Sequence, residues 1–409
     1  MSKSKPVGPI PEGYKQLAGE LAIGAEKASD LVGKHGSPLF VYSKELLSRR
    51  LTELRTAMPQ QLHIHYAMKA NPFGPVLQHM VSLVDGIDIA SGGELIMALA
   101  AGAENISFAG PGKRDEELLQ AIEAGVTINL ESPNECDRAL LIGAGAKIKP
   151  RLAIRVNPDF DLKGSGMKMG GGAKPFGMDI ELVAPTVQKI IEAGAHWHGF
   201  HIFAGSQALK ADAIIETQEQ TIALAARLAN QIGQSPAHVN LGGGFGIPYF
   251  PGDESLDIGS IGDALKEQLD NLPTILKDTQ FAIELGRYLV GEAGVYLTRI
   301  VDRKTSQGHD FLVTDGGLHH QLAASGNFGT VVKRNYPAAI ANKFGSEPTE
   351  TVSIVGCLCT PLDRLSDSAE MPKANVGDLV AIFCAGAYGA TASPANFLGQ
   401  GPAAEILVD

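Results

Sequence analysis

The strongest constraint on the fold is a regular alternation of short β-rich runs and longer helical stretches between about residues 38 and 285. The helical stretches, such as 92–101, 114–124 and 211–232, are rich in Ala, Leu and Glu. This alternation indicates βα units around a parallel sheet. Eight or nine such units favour a TIM-like (β/α)8 barrel over an open doubly wound sheet. The β-rich runs are 39–42, 63–68, 86–90, 106–109, 127–131, 152–157, 199–204, 239–242 and 281–284.

The remainder of the chain has a different pattern. After about residue 291 the helical rhythm fades, and β-rich runs at 295–301, 310–314, 351–355 and 379–383 alternate with turns. A chain of 409 residues also exceeds the usual size of a single hydrophobic core. We therefore expect an α/β protein with a barrel domain over 38–285 and a β-rich, sandwich- or barrel-like domain built from 10–37 and 286–409.

Composition excludes several classes of function. The net charge of −11 argues against a surface for nucleic acid or anionic membranes. No apolar run has the length of a signal peptide core or of a membrane span. The four cysteines, at 136, 357, 359 and 384, lack zinc or disulfide spacing, which is typical of a reducing compartment. We expect a cytoplasmic protein that acts on small molecules or a folded partner.

Histidines are grouped along the chain at 63 and 65, at 196, 198 and 201, and at 319 and 320. No carboxylate or cysteine completes a recognised ligand spacing around any group. The sequence therefore predicts no metal site.

Polar or glycine-rich segments follow most of the predicted barrel strands. In a (β/α)8 barrel the C-terminal ends of all strands meet at one mouth. We therefore expect these segments to form one site. They are Lys69, 88–91, Glu131, 155–157, 201–206, 242–244 and Glu284.

Lys69 stands at the end of a strand-like run, directly before an Asn-Pro pair that must turn the chain. A lysine there can extend from the strand end into water. Alternatively, burial depresses the pKa of the ammonium and makes the amine nucleophilic enough to form a Schiff base. The residues around Lys69 leave both interpretations open.

Two further motifs suggest a phosphate and a ring nitrogen as ligands. The glycine-rich segment 240–246 has the bare backbone that a phosphate requires, although it lacks Walker and dinucleotide spacings, and a tight turn is the alternative. In the segment 284–287, Arg287 suits a phosphate or carboxylate, and Glu284 suits a ring N–H that must stay protonated. The alternative there is a local ion pair. A Schiff-base lysine, a phosphate loop and such a carboxylate are together the protein's share of pyridoxal phosphate (PLP) chemistry.

The order of these motifs resembles fold-type III PLP-dependent decarboxylases, which include the ornithine and diaminopimelate enzymes. The resemblance extends from about residue 35 to the C-terminus. Its motifs are Tyr-Ala-Met-Lys-Ala-Asn (66–71), Asp-Ile-Ala-Ser-Gly-Gly-Glu-Leu (88–95), Phe-Ala-Gly-Pro-Gly-Lys (108–113), Phe-Gly-Met-Asp (176–179), Gly-Gly-Gly-Phe-Gly (242–246), Glu-Leu-Gly-Arg (284–287), Gly-Cys-Leu-Cys-Thr-Pro-Leu-Asp (356–363) and Gly-Ala-Tyr-Gly (386–389).

The resemblance implies that Lys69 holds the cofactor as a Schiff base and that Glu284 faces its pyridine nitrogen. It implies that Cys359 and Asp363 enter the active site of a second subunit, with Cys359 as the proton donor after CO2 leaves. A homodimer follows. Asp88, Arg155 and His201, which follow or end strands at the same mouth, are further candidates for cofactor binding, and Phe203 can stack on the ring. Around the phosphate the resemblance assigns Ser206, Gly243, Gly244, Gly286, Arg287 and Tyr388.

Three positions depart from the family pattern. Phe203 replaces the ring-stacking histidine, and His201 precedes it by two residues. Pro175 stands where a lysine usually precedes Phe-Gly. Thr360 replaces the glutamate with which diaminopimelate decarboxylases bind the distal ammonium of the substrate. An unpaired buried ammonium is strongly unfavourable, which argues against diaminopimelate.

Segments 164–172, 315–320, 334–337 and 358–363 resemble a narrower subgroup. It contains the butirosin-type decarboxylase of glutamate tethered to an acyl carrier protein, and exosortase-associated decarboxylases. A tethered glutamyl-like substrate has no free distal ammonium, which agrees with Thr360. Candidates for substrate contacts are Arg287, His319, His320, Arg334 and Thr360.

We therefore predict a PLP-dependent decarboxylase of an L- or D-configured α-amino acid in a biosynthetic pathway, with Lys69, Glu284, Cys359 and Asp363 as catalytic residues. The preferred substrate is tethered to a carrier protein, and a free diamino acid such as diaminopimelate or ornithine is the alternative. An amino-acid racemase on the same scaffold is a second rival. A non-catalytic PLP-binding or regulatory homologue is a third, and retention of Cys359 and Asp363 argues against it.

Overall fold

The computed structural model describes residues 4–326 and 334–409. They divide into two compact units. The barrel unit comprises Leu51–Ile247 and Ser255–Gly286. The β-rich unit comprises the described residues of Met1–Arg50, Pro248–Glu254 and Arg287–Asp409. Within the described ranges, no helix has the length and apolarity to cross a membrane.

The helices of the described chain are α1 (Ala28–His35), α2 (Lys44–Ala57), α3 (Gly74–Val81), α4 (Gly92–Ala100), α5 (Asp115–Glu123), α6 (Pro133–Ala146), α7 (Ile180–Glu192), α8 (Ala211–Ile232), α9 (Ile258–Asp270) and α10 (Arg287–Val290). The strands are β1 (Lys15–Leu17), β2 (Glu20–Ile23), β3 (Glu26–Lys27), β4 (Leu39–Ser43), β5 (His63–Ala67), β6 (Gly86–Ile89), β7 (Ile106–Phe108), β8 (Thr127–Leu130), β9 (Arg151–Val156), β10 (Met167–Lys168), β11 (His196–Ile202), β12 (Gly205–Ser206), β13 (His238–Asn240), β14 (Gln280–Leu285), β15 (Gly294–Ser306), β16 (His309–Thr314), β17 (Ala338–Ile340), β18 (Glu350–Val355), β19 (Arg364–Met371), β20 (Leu379–Ile382) and β21 (Ala404–Val408).

Eight parallel strands close the barrel in the order β5-β6-β7-β8-β9-β11-β13-β14, and β14 pairs back onto β5. Side chains alternate between the two faces of each strand. In β5, Ile64 and Tyr66 are completely buried on one face, whereas His63 and His65 line a cavity on the other. Because the other barrel strands also place polar side chains inside, the barrel encloses polar cavities as well as its apolar core.

Serine caps fix the points at which two barrel strands give way to helices. The Ser91 hydroxyl oxygen accepts a hydrogen bond from the backbone N–H of Glu94 at the start of α4. Ser132 does the same for Glu135 at the start of α6, both at 3.1 Å. Such caps satisfy amides that a helix leaves unpaired. They thereby hold the preceding strand ends in place.

In the β-rich unit, the main sheet has the order β17-β20-β15-β16-β18-β19, and β4 pairs with both β15 and β21. Strands β1, β2 and β3 form a small antiparallel sheet. The core of the unit consists of completely buried apolar side chains that include Leu21, Leu31, Leu39, Val295 and Phe383.

The predicted fold, a TIM-like barrel followed by a β-rich part, is confirmed. Eight of the nine predicted runs are the barrel strands. The remaining run, 39–42, forms β4, which pairs with β15 and β21 in the β-rich unit. All five residues of β4 are buried, as most residues of the barrel strands are, so the sequence pattern does not distinguish the two kinds of strand.

Candidate active site

A cavity of about 230 Å³ lies at the C-terminal ends of the barrel strands. We call it the mouth cavity. It lies entirely within the barrel unit and receives residues from distant parts of the chain. The sequence-predicted residues that line it are Lys69, Asp88, Arg155, His201, Phe203 and Glu284.

Glu284 is the buried carboxylate of this cavity. Its Oε2 atom lies 2.9 Å from His201 Nε2 and accepts a hydrogen bond from Asn240 Nδ2 at 3.3 Å. Burial alone would raise the pKa of Glu284, but His201 and more distant cations lower it to about 2. Glu284 is therefore ionised at neutral pH and can hold a proton on a ring nitrogen.

Lys69 lies in a 3-10 turn, Met68–Ala70, directly after β5. The backbone N–H of Asn71 closes the turn on the carbonyl of Met68, and the Tyr66 hydroxyl donates to the carbonyl of Asn71 at 2.7 Å. The side chain of Lys69 is exposed, and its Nζ is 6.0 Å from the centroid of the Phe203 ring. The amine is therefore accessible next to an aromatic face.

Arg155 is held by a buried carboxylate that also braces two loops. Glu131 Oε1 accepts hydrogen bonds from Arg155 Nη1 at 2.8 Å and from the backbone N–H of Gly110 at 2.6 Å. Its Oε2 accepts from the backbone N–H of Gly177 at 2.7 Å. The guanidinium also lies 5.0 Å from the centroid of the Phe176 ring. This arrangement fixes Arg155 in the cavity wall.

Asp88 connects the mouth cavity with the barrel interior. It lines the cavity, and its Oδ2 atom is 3.4 Å from His65 Nδ1. Both side chains are buried. Asp88 and His65 therefore form an ion pair whenever His65 is protonated.

The glycines after β13 and β14 are required by close packing. Gly244 has φ +88°, a left-handed conformation that favours glycine. A Cβ at Gly243 would stand 1.9 Å from the carbonyl oxygen of Glu284, and a Cβ at Gly286 would stand 2.9 Å from the Cβ of Ala70. The partly buried Ser206 lies in β12. The glycine-rich loop is thus a bare backbone, which suits close approach by a phosphate.

These features of the barrel unit fit a pyridoxal group. An accessible amine stands beside an aromatic face, a buried ionised carboxylate lines the same cavity, and bare glycine backbone follows the neighbouring strands. PLP carries an aldehyde, a basic ring nitrogen and a phosphate, for which an amine, a carboxylate and bare backbone are the respective partners.

In the β-rich unit, Arg287 lies among tyrosines. Its Nη1 donates to the Tyr249 hydroxyl at 2.8 Å, and its guanidinium is 4.9 Å from the centroid of the Tyr388 ring. Its Nε is buried and has no hydrogen-bond partner within the described residues. Arg334 stacks on Phe250, with its guanidinium carbon 3.8 Å from the ring centroid.

The segment 356–363 contains an exposed thiol and a buried carboxylate. Cys359 is exposed, and Thr360 accepts a hydrogen bond from the backbone N–H of Leu362. Asp363 is buried and accepts hydrogen bonds from the backbone N–H groups of Leu318 and Leu358 at 2.7 and 2.9 Å. Asp363 therefore braces two loops of its own unit, one of which carries Cys359.

The two adjacent histidines of the β-rich unit differ. His320 is bound on both sides, to the Tyr296 hydroxyl and to the carbonyl of Gly401, each at 3.0 Å. His319 is completely buried, and neither ring nitrogen has a hydrogen-bond partner in the described part of the chain. Only His319 has unused hydrogen-bonding capacity.

Three residues of the mouth region have contacts that the sequence did not predict, although Glu131 was placed in the predicted site and Asn240 in the glycine-rich segment. Asn240 anchors Glu284, and Glu131 anchors Arg155. Glu94 accepts from the backbone N–H of Ala90 at 2.6 Å, and burial raises its pKa while that bond and Lys69 oppose the rise. Signals were present for all three: Asn240 precedes the glycine run, Glu131 ends a strand, and Glu94 has capping-box spacing from its serine.

Comparison with known proteins agrees with this geometry. Residues 44–291 match the model of the family described as pyridoxal-dependent decarboxylase, pyridoxal binding domain. The chain is 35% identical to the L-glutamyl-[BtrI acyl-carrier protein] decarboxylase of Niallia circulans, over 92% of this chain and 90% of that protein. It is 33% identical to the diaminopimelate decarboxylase of Aquifex aeolicus, over 96% and 91% of the two chains.

Among solved structures, diaminopimelate decarboxylase from M. jannaschii in complex with L-lysine superimposes with a TM-score of 0.89 at 26% identity. The alignment covers 97% of this chain and 93% of that chain. These matches confirm the fold, the cofactor and the reaction class that the sequence predicts. The chain therefore belongs to the pyridoxal-dependent decarboxylase family, whose members use PLP.

Proposed function

We propose that this enzyme removes the α-carboxylate, as CO2, from a glutamyl-like amino acid whose distal end is tethered to a carrier protein. The observation that carries the proposal is Thr360, an uncharged residue at the position of the glutamate with which diaminopimelate decarboxylases bind a distal ammonium. The similarity to the carrier-linked glutamyl decarboxylase supports the same substrate class.

The surroundings of Thr360 also support a substrate without a distal charge. Segment 356–362 contains no carboxylate, and the carboxylate that follows it, Asp363, is buried and already accepts two backbone hydrogen bonds. An ammonium next to Thr360 would therefore lack a charge partner from this segment. Leaving a buried charge unpaired costs about 3–5 kcal/mol.

In the barrel unit we propose that Lys69 attaches the cofactor and that Phe203 stacks on its ring. Bound PLP supplies the electron sink for loss of the carboxylate. Glu284, held by His201 and Asn240, keeps the ring nitrogen protonated. Asp88 and Arg155 form the cavity wall, and Ser206, Gly243, Gly244 and Gly286 offer backbone and hydroxyl donors to the phosphate.

For the β-rich unit we keep the roles that the family resemblance implies. Arg287 and Tyr388 bind the phosphate, and Arg287, His319, His320, Arg334 and Thr360 form the substrate contacts. We propose a homodimer in which Cys359 and Asp363 serve the partner's active site, Cys359 as proton donor. Support comes from the exposure of Cys359 and of the nearby apolar Leu362, half of whose side chain is accessible in one chain.

We further propose that the enzyme works in the cytoplasm. This proposal rests on four free cysteines, two of them exposed, which suit a reducing compartment.

The test is a decarboxylation assay that compares one carrier protein loaded with glutamate, the same carrier loaded with a diamino acid, free glutamate and free diaminopimelate. CO2 release and the mass of the product are both measured. We expect turnover of the loaded glutamate only. Turnover restricted to free diaminopimelate would contradict the proposed substrate and leave the reaction class intact, whereas racemised substrate without CO2 would contradict both.

A further inference from the structure

A second cavity, of about 160 Å³, lies at the opposite end of the barrel from the mouth. We call it the floor cavity. Its position is clear from the lining residues that begin barrel strands: His63, Thr127, Arg151, His238 and Gln280. In TIM barrels this end usually serves stability, whereas catalysis takes place at the other. The floor cavity is therefore distinct from the mouth cavity, although its inner lining includes Asn240, which contacts Glu284, and His65, which contacts Asp88.

The lining of the floor cavity is basic and polar. It contains four histidines and one arginine, and no aspartate or glutamate. Its four side-chain amides already donate elsewhere: Asn105 to the carbonyl of Asp85, Asn129 to the Ser107 hydroxyl, Asn240 to Glu284 and Gln280 to the carbonyl of Gln61. The charged or potentially charged donors in the lining are Arg151, His63, His65, His198 and His238.

Three of these histidines form a stack. The rings of His198 and His238 are nearly parallel, with centroids 5.2 Å apart and planes 10° apart, and the rings of His238 and His65 are 5.7 Å apart. His65 is only 2% exposed; its Nδ1 lies 3.4 Å from Asp88 Oδ2, whereas its Nε2 has no hydrogen-bond partner within the described residues. A buried polar group without a partner is unfavourable and calls for an explanation.

The arrangement does not suit a metal ion. Nearly parallel stacked rings cannot direct their nitrogens to one point, which a metal site requires. In the ranges that the structure describes, no group of three or more His, Cys, Asp or Glu side chains could hold a metal ion. An anion has no such requirement, because separate N–H donors can bind its different oxygens.

Before a ligand binds, His198 and His238 are neutral at neutral pH. Burial, and less strongly the neighbouring basic groups, lower the pKa of His198 to about 4 and lower the pKa of His238 as well. Of the three stacked histidines, His65 lies next to a carboxylate. Burial lowers the pKa of His65, but Asp88 outweighs this effect and raises it. The other charged groups that act on these histidines are Asp85, Glu284, Arg55, Arg151 and His201.

We propose that the floor cavity binds one small oxyanion of the phosphate or sulfate class. Arg151 and the ring N–H groups of His63, His198 and His238 hold it. The cavity has room for such an ion, since a water molecule occupies about 30 Å³ in the liquid. Because the ion favours protonated imidazoles, its binding is accompanied by proton uptake. This inference does not depend on the identity of the amino-acid substrate.

The test uses the PLP-saturated holoenzyme, so that the phosphate site of the cofactor is already filled. Sulfate is titrated by calorimetry at about pH 6 and about pH 8, with chloride as the control of equal ionic strength. Sulfate remains a dianion over this range, so a pH dependence reports on the protein. Inorganic phosphate is titrated in parallel. The variants are Arg151→Gln and His238→Asn, and Arg227→Gln on α8, outside the lining, is the matched control.

We expect one sulfate per chain, bound more tightly at the lower pH. Arg151→Gln and His238→Asn should each weaken binding about tenfold or more through loss of a charge-assisted hydrogen bond, and Arg227→Gln should not. Sulfate-dependent shifts of histidine ring NMR signals in the wild-type holoenzyme give a readout that needs no variant. The proposal is overturned if the wild type shows no saturable binding at about pH 6, if affinity is equal at both pH values, or if the two lining variants bind as the wild type does.

Discussion

His201 Nε2 lies 2.9 Å from Glu284 Oε2, and this contact spans from β11 to β14 across the intervening β13. Asn240 of β13 donates to the same oxygen at 3.3 Å. All three side chains are buried. One oxygen of Glu284 is thus fixed by two neighbours on the inner wall of the barrel. The ionised state of Glu284 therefore depends on the barrel and not on solvent.

Replacing the histidine of this pair should destabilise the ionised carboxylate. We expect His201→Asn to reduce the free energy of unfolding by about 3 kcal/mol at neutral pH, because a buried charge loses its partner. The pKa of Glu284 is about 2 in the fold and 4.5 as its ordinary value. The stabilisation is therefore complete above about pH 4.5 and is lost as the pH falls towards 2, so the difference between variant and wild type should shrink in acid.

Urea unfolding at several pH values measures this difference, and titration with PLP measures cofactor affinity in the same variants. His196→Asn is the matched control, since His196 is an exposed residue of the same strand. An equal loss at all pH values would show that His201 acts through packing and not through the charge of Glu284.

A second prediction concerns Glu131. Glu131→Gln should lower the free energy of unfolding by about 3 kcal/mol, because it leaves the buried guanidinium of Arg155 without its counterion. Arg155 and backbone donors outweigh burial and lower the pKa of Glu131, so this stabilisation too is present above the ordinary pKa of 4.5 and declines in acid. Thermal unfolding measures the change, with the exposed Glu116→Gln as control. A melting temperature equal to that of the control would show that the contact of Glu131 with Arg155 does not stabilise the fold.

Lys69→Ala should abolish turnover and the absorbance of covalently bound cofactor while leaving the fold intact. The lysine side chain is exposed and lies in a turn, so its truncation removes little packing. Lys163→Ala, at an exposed lysine that pairs with Glu216, is the control and should retain both properties. Visible absorbance and CO2 release measure the outcome, and an unchanged rate of CO2 release would refute the assignment.

Cys359→Ala should keep cofactor binding and change the fate of the decarboxylated product. If the thiol donates the proton, its loss slows product formation or diverts the product more strongly than it affects PLP affinity. Mass spectrometry of the product in deuterated water measures this, and Cys357→Ala, at the other exposed cysteine, is the control. Equal product profiles for the two variants would speak against Cys359 as the donor.

The periodicity of the barrel strands predicted the fold and the position of Lys69, Glu284 and the glycine loop, because strand ends in a barrel must share one mouth. Periodicity could not place β4, whose five buried residues match either sheet. It also could not reveal that Asn240 and Glu131 hold the predicted residues, because that depends on which strands are neighbours in space. The sequence could not show that His65, His198 and His238 stack, because they lie on three separate strands.

The last prediction concerns the choice of substrate. Thr360→Glu should introduce a carboxylate where the segment has none, and so provide a partner for a distal ammonium. We expect kcat/KM for free diaminopimelate to rise by tenfold or more, which corresponds to about 1.4 kcal/mol of transition-state stabilisation. We expect kcat/KM for the carrier-bound glutamate to fall. Thr360→Gln is the matched control, because glutamine has the same length as glutamate but no charge. The ratio of kcat/KM for the two substrates measures the switch, and a parallel change in both variants would show that size at this position, and not charge, governs specificity.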